Sequence, residues 1–154
     1  MEFMTNFEEA EKFDQLKTKI LKYVLYKKRT EYEVREKFTD VEENILEEII
    51  EFLKEEKYID DNDYIRRCID EFKKLNLLSL KEIVYKLSKK GINKNLLDEY
   101  IYLNREELLQ YEIDSAKKII IKKSKSSEID EIKNFLYRKG YMSETISVAV
   151  KEIN

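Results

Sequence analysis

The sequence predicts an all-α protein of three tandem three-helix, helix-turn-helix-like repeats in an elongated, curved array. The 154-residue chain has two glycines and no proline, too few turn-forming residues for a barrel or sandwich of strands. Its 41% charged and 42% hydrophobic residues suit amphipathic helices joined by short polar connections. A shift of 49 residues relates Glu33 to Glu82 and Glu131, and also Gly91 to Gly140. Such a period is typical of helical repeat arrays.

The repeat period predicts the domain organisation. An acidic lead-in at residues 1–13 precedes a first repeat at 14–58, and further repeats occupy 59–103 and 104–154. Neither joint is rich in glycine or proline, so we expect stiff turns between the repeats. Because stacked repeats offer a long surface rather than a deep pocket, this organisation favours binding over catalysis.

The first repeat begins with an apolar stripe of helical period. Its members are Leu16, Ile20, Tyr23 and Val24. Thr30 and Glu33 form a capping-box pattern that starts a second, shorter helix through Phe38. A third helix is predicted by another apolar stripe of the same period. This stripe consists of Ile45, Ile49, Phe52 and Leu53.

The second repeat follows the same plan. Its first stripe consists of Ile65, Cys68, Ile69 and Phe72, which places Cys68 in the core. Ser79 and Glu82 repeat the capping box, and Gly91 ends that helix because glycine adopts a left-handed conformation without Cβ strain. The next helix carries Leu96, Leu97, Tyr100 and Ile101.

The third repeat opens with a longer pattern that predicts a helix from about Arg105 to Lys123. Residues 124–127 break it, and a helix that ends at Gly140 follows. Ser143 is expected to cap the last helix. The apolar positions of these three helices are Leu109, Ile113, Ala116, Ile120, Ile129, Ile132, Leu136, Ile146, Ala149, Val150 and Ile153.

The composition excludes most enzyme chemistry. Without histidine, the chain has no imidazole to act as a general base or to bind zinc. A single cysteine forms no internal disulfide, which fits a reducing cytoplasm. The longest apolar runs have three to five residues, against the roughly 20 that a membrane span needs. We therefore expect a cytoplasmic protein that is not an enzyme, has no metal or cofactor and does not enter a membrane.

Charge is distributed unevenly along the chain. The net charge is −6 over residues 1–60, −1 over 61–114 and +4 over 115–154. The last segment could face an anionic partner, whereas the first would be repelled by one. The alternative is a set of solvated helix faces without a specific partner.

Lysines and arginines are the candidate binding residues. Lys86, Lys89, Lys90 and Lys94 cluster around Gly91, and Arg138 with Lys139 holds the equivalent place beside Gly140. Such cations can approach phosphates or acidic loops, or else they only complement the helix dipole. Further candidates are Arg66, Arg67, Lys117, Lys118 and Lys122. For the lysines that follow residue 116, a solvated helix end is the favoured interpretation.

Aspartates and tyrosines receive structural interpretations. Asp60, Asp61 and Asp63 lack the glycine and the final glutamate of a calcium loop, so Asp61 or Asn62 is expected to cap the next helix. Tyr58 and Tyr64 would pack across that joint, and further tyrosines lie on or beside core stripes: Tyr23, Tyr100 and Tyr141. The freer tyrosines are Tyr26, Tyr32, Tyr85, Tyr102, Tyr111 and Tyr137. Base stacking is considered for these, but packing is favoured.

Four segments in this order resemble the RecX family, regulators of the RecA recombinase. Residues 58–66, YIDDNDYIR, resemble the family's G-Y-L-D-D-x-x-F-A-R joint, and 83–92, IVYKLSKKGI, are similar to its I-x-x-E-L-x-x-K-G-I helix. Residues 135–141, FLYRKGY, resemble L-x-R-R-G-F, and 23–34 resemble the opening Y-L-x-x-R-x-R-S-x-x-E-L. The resemblance covers about residues 14–153.

The chain departs from the family pattern at three places. Lys57 stands where the family has glycine, and Ile65 stands where it has alanine. The first repeat also lacks the Lys-Gly ending and is about two residues shorter between Phe38 and Ile45 than the second. These departures affect local turn geometry rather than the architecture.

The resemblance implies a regulatory function and its partners. RecX proteins bind RecA, lodge in the groove of its filament on single-stranded DNA, and suppress its ATPase, strand exchange and co-protease activities. For this chain that implies RecA and its filament as partners, a monomeric state and, as an open question, a weak direct contact with DNA. The alternatives are a direct nucleic-acid-binding protein of helix-turn-helix-like units and an unrelated helical adaptor.

Overall fold

The structure, a computed structural model, describes residues 6–154, and within this range it is all-helical. The nine helices of the described residues are α1 (Asn6–Tyr26), α2 (Glu31–Lys37), α3 (Glu43–Glu55), α4 (Asp61–Leu75), α5 (Leu80–Lys89), α6 (Lys94–Leu103), α7 (Arg105–Lys123), α8 (Ile129–Lys139) and α9 (Ser143–Ile153). They form three consecutive sets of three, so the all-α, three-repeat prediction is confirmed. Of the predicted lead-in, residues 1–5 lie outside the described residues and the remainder is the start of α1.

The second helix of each repeat keeps the 49-residue register. Helices α2, α5 and α8 begin at residues 31, 80 and 129. Both predicted capping boxes are present: Thr30 Oγ1 accepts from the Glu33 amide, and Ser79 Oγ accepts from the Glu82 amide, each at 3.1 Å. In return, each glutamate accepts from the amide of its cap residue at 3.0 Å. Local sequence therefore defines where these two helices start.

Left-handed residues end several helices. Gly91 has a φ of 77° and Gly140 a φ of 97°, as the sequence predicts for residues that stop α5 and α8. The amide that follows each glycine reaches back across the last turn, from Ile92 to Leu87 and from Tyr141 to Leu136. At the end of α3 the left-handed residue is Lys57, at 64°, where the related family has glycine. The turn therefore keeps the glycine conformation in spite of the Cβ atom.

The described residues form two compact units, one ending at Tyr64 and the other spanning Ile65–Asn154. In the first unit the core is a single apolar cluster from α1, α2 and α3. Its buried members are Ile20, Val24, Val34, Phe38, Leu46, Ile49, Ile50, Leu53 and Ile59. Tyr23 packs edge-on against Phe38, with ring centroids 5.5 Å apart. The predicted stripes of α1 and α3 thus face one another.

In the second unit, α7 is the central helix. It runs from Arg105 to Lys123, the range that the sequence predicts, and it packs against α8 and α9. The apolar cluster there consists of Ile113, Ala116, Ile119, Ile120, Ile132, Leu136, Tyr141, Ile146 and Ala149. In α4, α5 and α6 the fully buried side chains include Ile65, Ile83, Leu87 and Leu97. Most of these residues belong to the predicted stripes.

Two predicted helix caps are wrong. Asp60, rather than Asp61 or Asn62, caps α4, because its carboxylate accepts from the Asp63 amide at 3.1 Å. Ser143 is the first residue of α9 and does not cap it; its hydroxyl contacts the Tyr137 hydroxyl. Each cap lies one or two residues from the predicted position, which is the usual error for helix ends read from a sequence.

Two burial predictions also need correction. Cys68 is only partly buried, not a core residue, because it lies at the edge of the α4 stripe. Tyr111 is 6% exposed, although the sequence analysis places it among the freer tyrosines. Its hydroxyl donates to the Leu78 carbonyl at 2.8 Å, a long-range partner that local sequence does not reveal.

Within residues 6–154, every helix is too short or too polar to cross a lipid bilayer.

Candidate partner-binding surface

The candidate surface is centred on the exposed side of α5. Ile83 and Leu87 of this helix are buried. Lys81, Tyr85 and Lys89 are exposed and lie on the opposite side, because each is two residues from a buried position and two residues turn the helix by about half a circle. The predicted lysines of this region are all exposed: Lys86, Lys89, Lys90 and Lys94. Lys89 Nζ lies 4.7 Å from the centre of the Tyr85 ring. The structure therefore brings four of the predicted binding residues to the end of α5 and the start of α6.

The two basic residues before Gly140 occupy a different environment. Lys139 is partly buried, its Nζ lies 3.5 Å from the Glu82 carboxylate, and its carbonyl accepts from Ser79 Oγ at 2.8 Å. Arg138 is exposed. The end of α8 thus packs on the start of α5. Lys139 stabilises the contact between these helices and is also partly exposed at the surface.

The remaining predicted cations lie on α4 and α7. In α4, Arg66 pairs with Asp70 at 3.4 Å, and Arg67 is exposed. In α7, Lys117 pairs with Glu152 of α9, and Lys118 Nζ lies 3.4 Å from the Leu75 carbonyl. Lys122 is exposed.

A buried carboxylate, missed by the sequence analysis, stabilises the helix from which these lysines project. Glu112 of α7 is 0% exposed. Its two oxygens accept from the Leu80 amide, at the start of α5, and from the Met142 amide, which precedes α9, both at 2.9 Å. A carboxylate at a helix N-terminus satisfies unpaired amides and complements the helix dipole. Glu112 does both for two helices at once.

The loop before α5 is held in the same way by side chains from distant positions. Ser115 Oγ donates to the Asn76 carbonyl at 3.1 Å, and the Tyr141 hydroxyl lies 2.6 Å from Ser115 Oγ. Burial raises the pKa of Tyr141, and to a lesser extent its hydrogen bond to Ser115 opposes that shift. Burial likewise raises the pKa of Tyr111. Both phenols therefore stay neutral and bind the loop as hydrogen-bonding groups.

The first unit presents an ion-pair network instead. Glu31 lies 3.1 Å from Arg35 and 2.5 Å from Lys54, and Arg35 also pairs with Glu47 at 2.9 Å. Burial alone would raise the pKa of Glu31, but the bonds from Lys54 and Arg35 outweigh it and the net pKa is lowered. Asp61 accepts from the Glu31 amide at 3.1 Å, and burial raises its pKa.

Nothing in the described part of the chain resembles a metal site, since no three cysteine or carboxylate residues there gather around one point.

The fold and its surface define a class of protein: helical proteins of three-helix repeats that present charged residues at their helix ends. No protein-family model matches the chain. The regulatory protein RecX of Clostridium beijerinckii is 33% identical over 153 residues, which cover 94% of this chain and 71% of that protein. The chain belongs to the RecX family of regulatory proteins.

Other relatives agree with this assignment. The regulatory protein RecX of Staphylococcus carnosus is 29% identical over 97% of this chain, which spans 59% of that protein. Among solved structures, RecX from Lactobacillus salivarius superposes with a TM-score of 0.77 at 26% identity, covering 93% of this chain and 97% of that one. A second RecX crystal structure, at 20% identity and the same TM-score, agrees in fold.

Proposed function

We propose that this protein binds RecA and the filament that RecA forms on single-stranded DNA, lodges in the filament groove, and inhibits RecA. The inhibited activities are ATP hydrolysis, strand exchange and co-protease activity. One observation carries the proposal: the chain is similar over almost its whole length to a protein named as the RecX regulator. We further propose that it acts as a monomer in the cytoplasm.

The charges of the described residues support this proposal. A RecA filament on DNA is a polyanion, so exposed cations on the bound protein release counterions and strengthen the contact. The lysines at the end of α5 and the start of α6 are exposed, as are Arg67, Lys122 and Arg138. Lys117 and Lys139 have carboxylate partners within the protein, so we expect them to contribute less.

The proposal is tested by measuring RecA's single-strand-dependent ATP hydrolysis with increasing amounts of the protein. We expect inhibition below one protein per RecA subunit, because one groove-bound molecule can contact several subunits and gains avidity from them. A variant with Lys86, Lys90 and Lys94 changed to glutamine should need several times more protein for half-inhibition. The matched control changes Lys12, Lys19 and Lys22, exposed lysines of α1. Unchanged hydrolysis at a molar excess of the wild-type protein would refute the proposal.

A direct nucleic-acid-binding protein is the second candidate, favoured by the number of exposed lysines around the end of α5. It predicts tight binding to naked DNA and affinity that falls steeply with salt in the absence of RecA. The net charge of −3 opposes it. A gel shift with naked duplex DNA separates the two candidates, because helix-turn-helix units bind the major groove of a duplex, whereas a RecA regulator acts on the filament.

A further inference from the structure

We propose that the outer face of α5, formed by Lys81, Tyr85 and Lys89, is a binding site for single-stranded nucleic acid. In this site the Tyr85 ring stacks on a base, and the two lysines contact the flanking phosphates. The inference rests on the proposed function, and it specifies which part of the protein would touch the DNA within the filament.

The geometry of the face suits this ligand. Lys81, Tyr85 and Lys89 are spaced by about one helical turn each, so they form a row along one side of the helix. All three are exposed, and the aliphatic part of Lys81 also lies against Gly140. Tyr85 is 60% exposed, and Lys89 Nζ lies 4.7 Å from its ring centre. An exposed aromatic ring flanked by cations is the arrangement with which proteins hold single strands without sequence preference.

The charge of α5 is one-sided. Its only acidic residue is Glu82, and both carboxylate oxygens of Glu82 are engaged. One accepts from the Ser79 amide at 3.0 Å, and the other lies 3.5 Å from Lys139 Nζ. The exposed side of α5 itself therefore carries only positive charge, which suits a polyanion. Glu106 of α7 and Glu144 of α9 line the same cavity as Lys81.

The row is specific to the second repeat. The 49-residue shift places Asp130, Asn134 and Arg138 at the corresponding positions of the third repeat. The corresponding residues of the first repeat are Tyr32, Glu36 and Asp40. Neither set combines an aromatic ring with two cations, so repetition of the fold alone does not account for the row on α5.

An acidic protein surface is the competing partner for these lysines, but it leaves the tyrosine unexplained. Two ammonium groups alone would suffice to pair with carboxylates. Tyr85, in contrast, presents a large apolar ring to solvent, directly opposite the buried Ile83 and Leu87. Such a ring gains most from a planar ligand, and every nucleobase offers a planar face.

The first experiment measures binding of a fluorescein-labelled oligothymidine by fluorescence anisotropy. Tyr85→Ala should weaken binding by roughly 5- to 150-fold, the range of one lost base stack, and Tyr85→Phe should restore it. The matched control is Tyr102→Ala, since Tyr102 is 64% exposed with Arg105 4.6 Å from its ring centre, but Asp98 lies one turn before it. Equal losses for Tyr85→Ala and Tyr102→Ala would overturn the site.

The second experiment addresses the lysines through salt dependence. The double variant Lys81→Gln/Lys89→Gln should reduce the slope of log affinity against log salt by about 1.4, because each phosphate contact on a single strand contributes about 0.7. The control is Lys12→Gln/Lys19→Gln on α1, which should leave the slope unchanged. A change in affinity without a change in slope would contradict the phosphate contacts.

The third experiment uses the absence of tryptophan from the chain. Tyr85→Trp introduces a unique fluorophore, and stacking on thymine should quench its emission when oligothymidine is added. The same substitution at Tyr102 should show no quenching. Quenching by a polyglutamate peptide, but not by oligothymidine, would assign the face to an acidic protein partner and overturn the inference.

The failures of the two proposals are distinguishable. If Tyr85→Ala leaves oligothymidine binding unchanged while the protein still inhibits RecA's ATPase, the nucleic-acid site is wrong and the proposed function stands. If the wild-type protein does not inhibit RecA, the proposed function is wrong whatever the variants bind.

Discussion

The two compact units are stabilised by different polar interactions. In the unit that ends at Tyr64, an apolar core is bordered by ion pairs among Glu31, Arg35, Glu47 and Lys54, all of them partly exposed. In the unit Ile65–Asn154, the carboxylate of Glu112 and the hydroxyl of Ser115 lie inside, both 0% exposed. Exposed ion pairs contribute little and weaken with salt, whereas buried hydrogen bonds are costly to break.

The same helical repeat is therefore stabilised by different polar contacts in the two units. In each unit, a carboxylate from the first helix of the next repeat accepts a hydrogen bond from the first amide of the repeat's second helix. Asp61 of α4 does this for α2, and Glu112 of α7 does it for α5. Asp61 is partly buried and makes one such bond, whereas Glu112 also accepts from Met142 and so joins α5 to α9. We therefore expect the second unit to be the more sensitive to substitution and the first to be the more sensitive to salt and acid.

The largest effect is expected from Glu112→Gln, which keeps the shape of the side chain but replaces one acceptor oxygen with a donor. One of the two backbone amides then faces another donor, and a charge-assisted bond is lost at each helix start. We expect a loss of about 3 kcal/mol in the free energy of unfolding, measured by urea denaturation. The control, Glu106→Gln at an exposed position of the same helix, should change it by less than about 0.5 kcal/mol. Equal effects of Glu112→Gln and Glu106→Gln would contradict the conclusion that Glu112 caps both α5 and α9.

A smaller effect is expected from Tyr141→Phe. This substitution keeps the buried ring and removes only the hydroxyl that lies 2.6 Å from Ser115 Oγ. The free energy of unfolding should fall by about 1 kcal/mol. Hydrogen exchange should also become faster in the loop that precedes α5. The control is Tyr137→Phe, at a tyrosine that is 59% exposed. If hydrogen exchange in the loop is unchanged in Tyr141→Phe, the Tyr141 hydroxyl does not stabilise the loop.

The smallest effect is expected in the first unit from Glu31→Gln. Because the folded state lowers the pKa of Glu31, its ion pairs stabilise the fold above the ordinary pKa of 4.5, and this contribution is lost as pH falls through the folded pKa. At neutral pH the variant should lose less than about 1 kcal/mol, and less still in high salt. Thermal melts between pH 7 and pH 3 should show a shallower acid dependence than the wild type. If the melting temperatures of the variant and the wild type fall in parallel as pH is lowered, Glu31 does not have this role.

Local sequence signals predicted most of the fold. The capping boxes at Thr30 and Ser79, together with Gly91 and Gly140, defined where α2 and α5 start and where α5 and α8 end, because these features act within one turn of the helix. Helix α7 has its predicted bounds because an apolar period of five turns leaves little freedom.

Long-range contacts could not be predicted in this way. Glu112 looks like any charged helix residue in the sequence, and its two amide partners lie 30 and 32 residues away. The cap predicted at Ser143 is wrong for a local reason: Ser143 is already the first residue of α9, and its hydroxyl contacts the Tyr137 hydroxyl. Among the binding candidates, the sequence identified the lysines around Gly91 and placed Tyr85 among the freer tyrosines, but only the structure showed that the Tyr85 ring lies beside Lys89.

The buried glutamate also limits how this chain could be shortened or lengthened. A fragment that stops at Leu103 would lose the acceptor for the Leu80 amide and the hydroxyls that bind the 76–78 carbonyls, so α4–α6 should not survive as an autonomous module. If a fourth repeat followed, an acidic side chain in its first helix would be needed to accept from the amide of Ile129, as Glu112 accepts from Leu80. We therefore expect the second repeat to fold only together with the third.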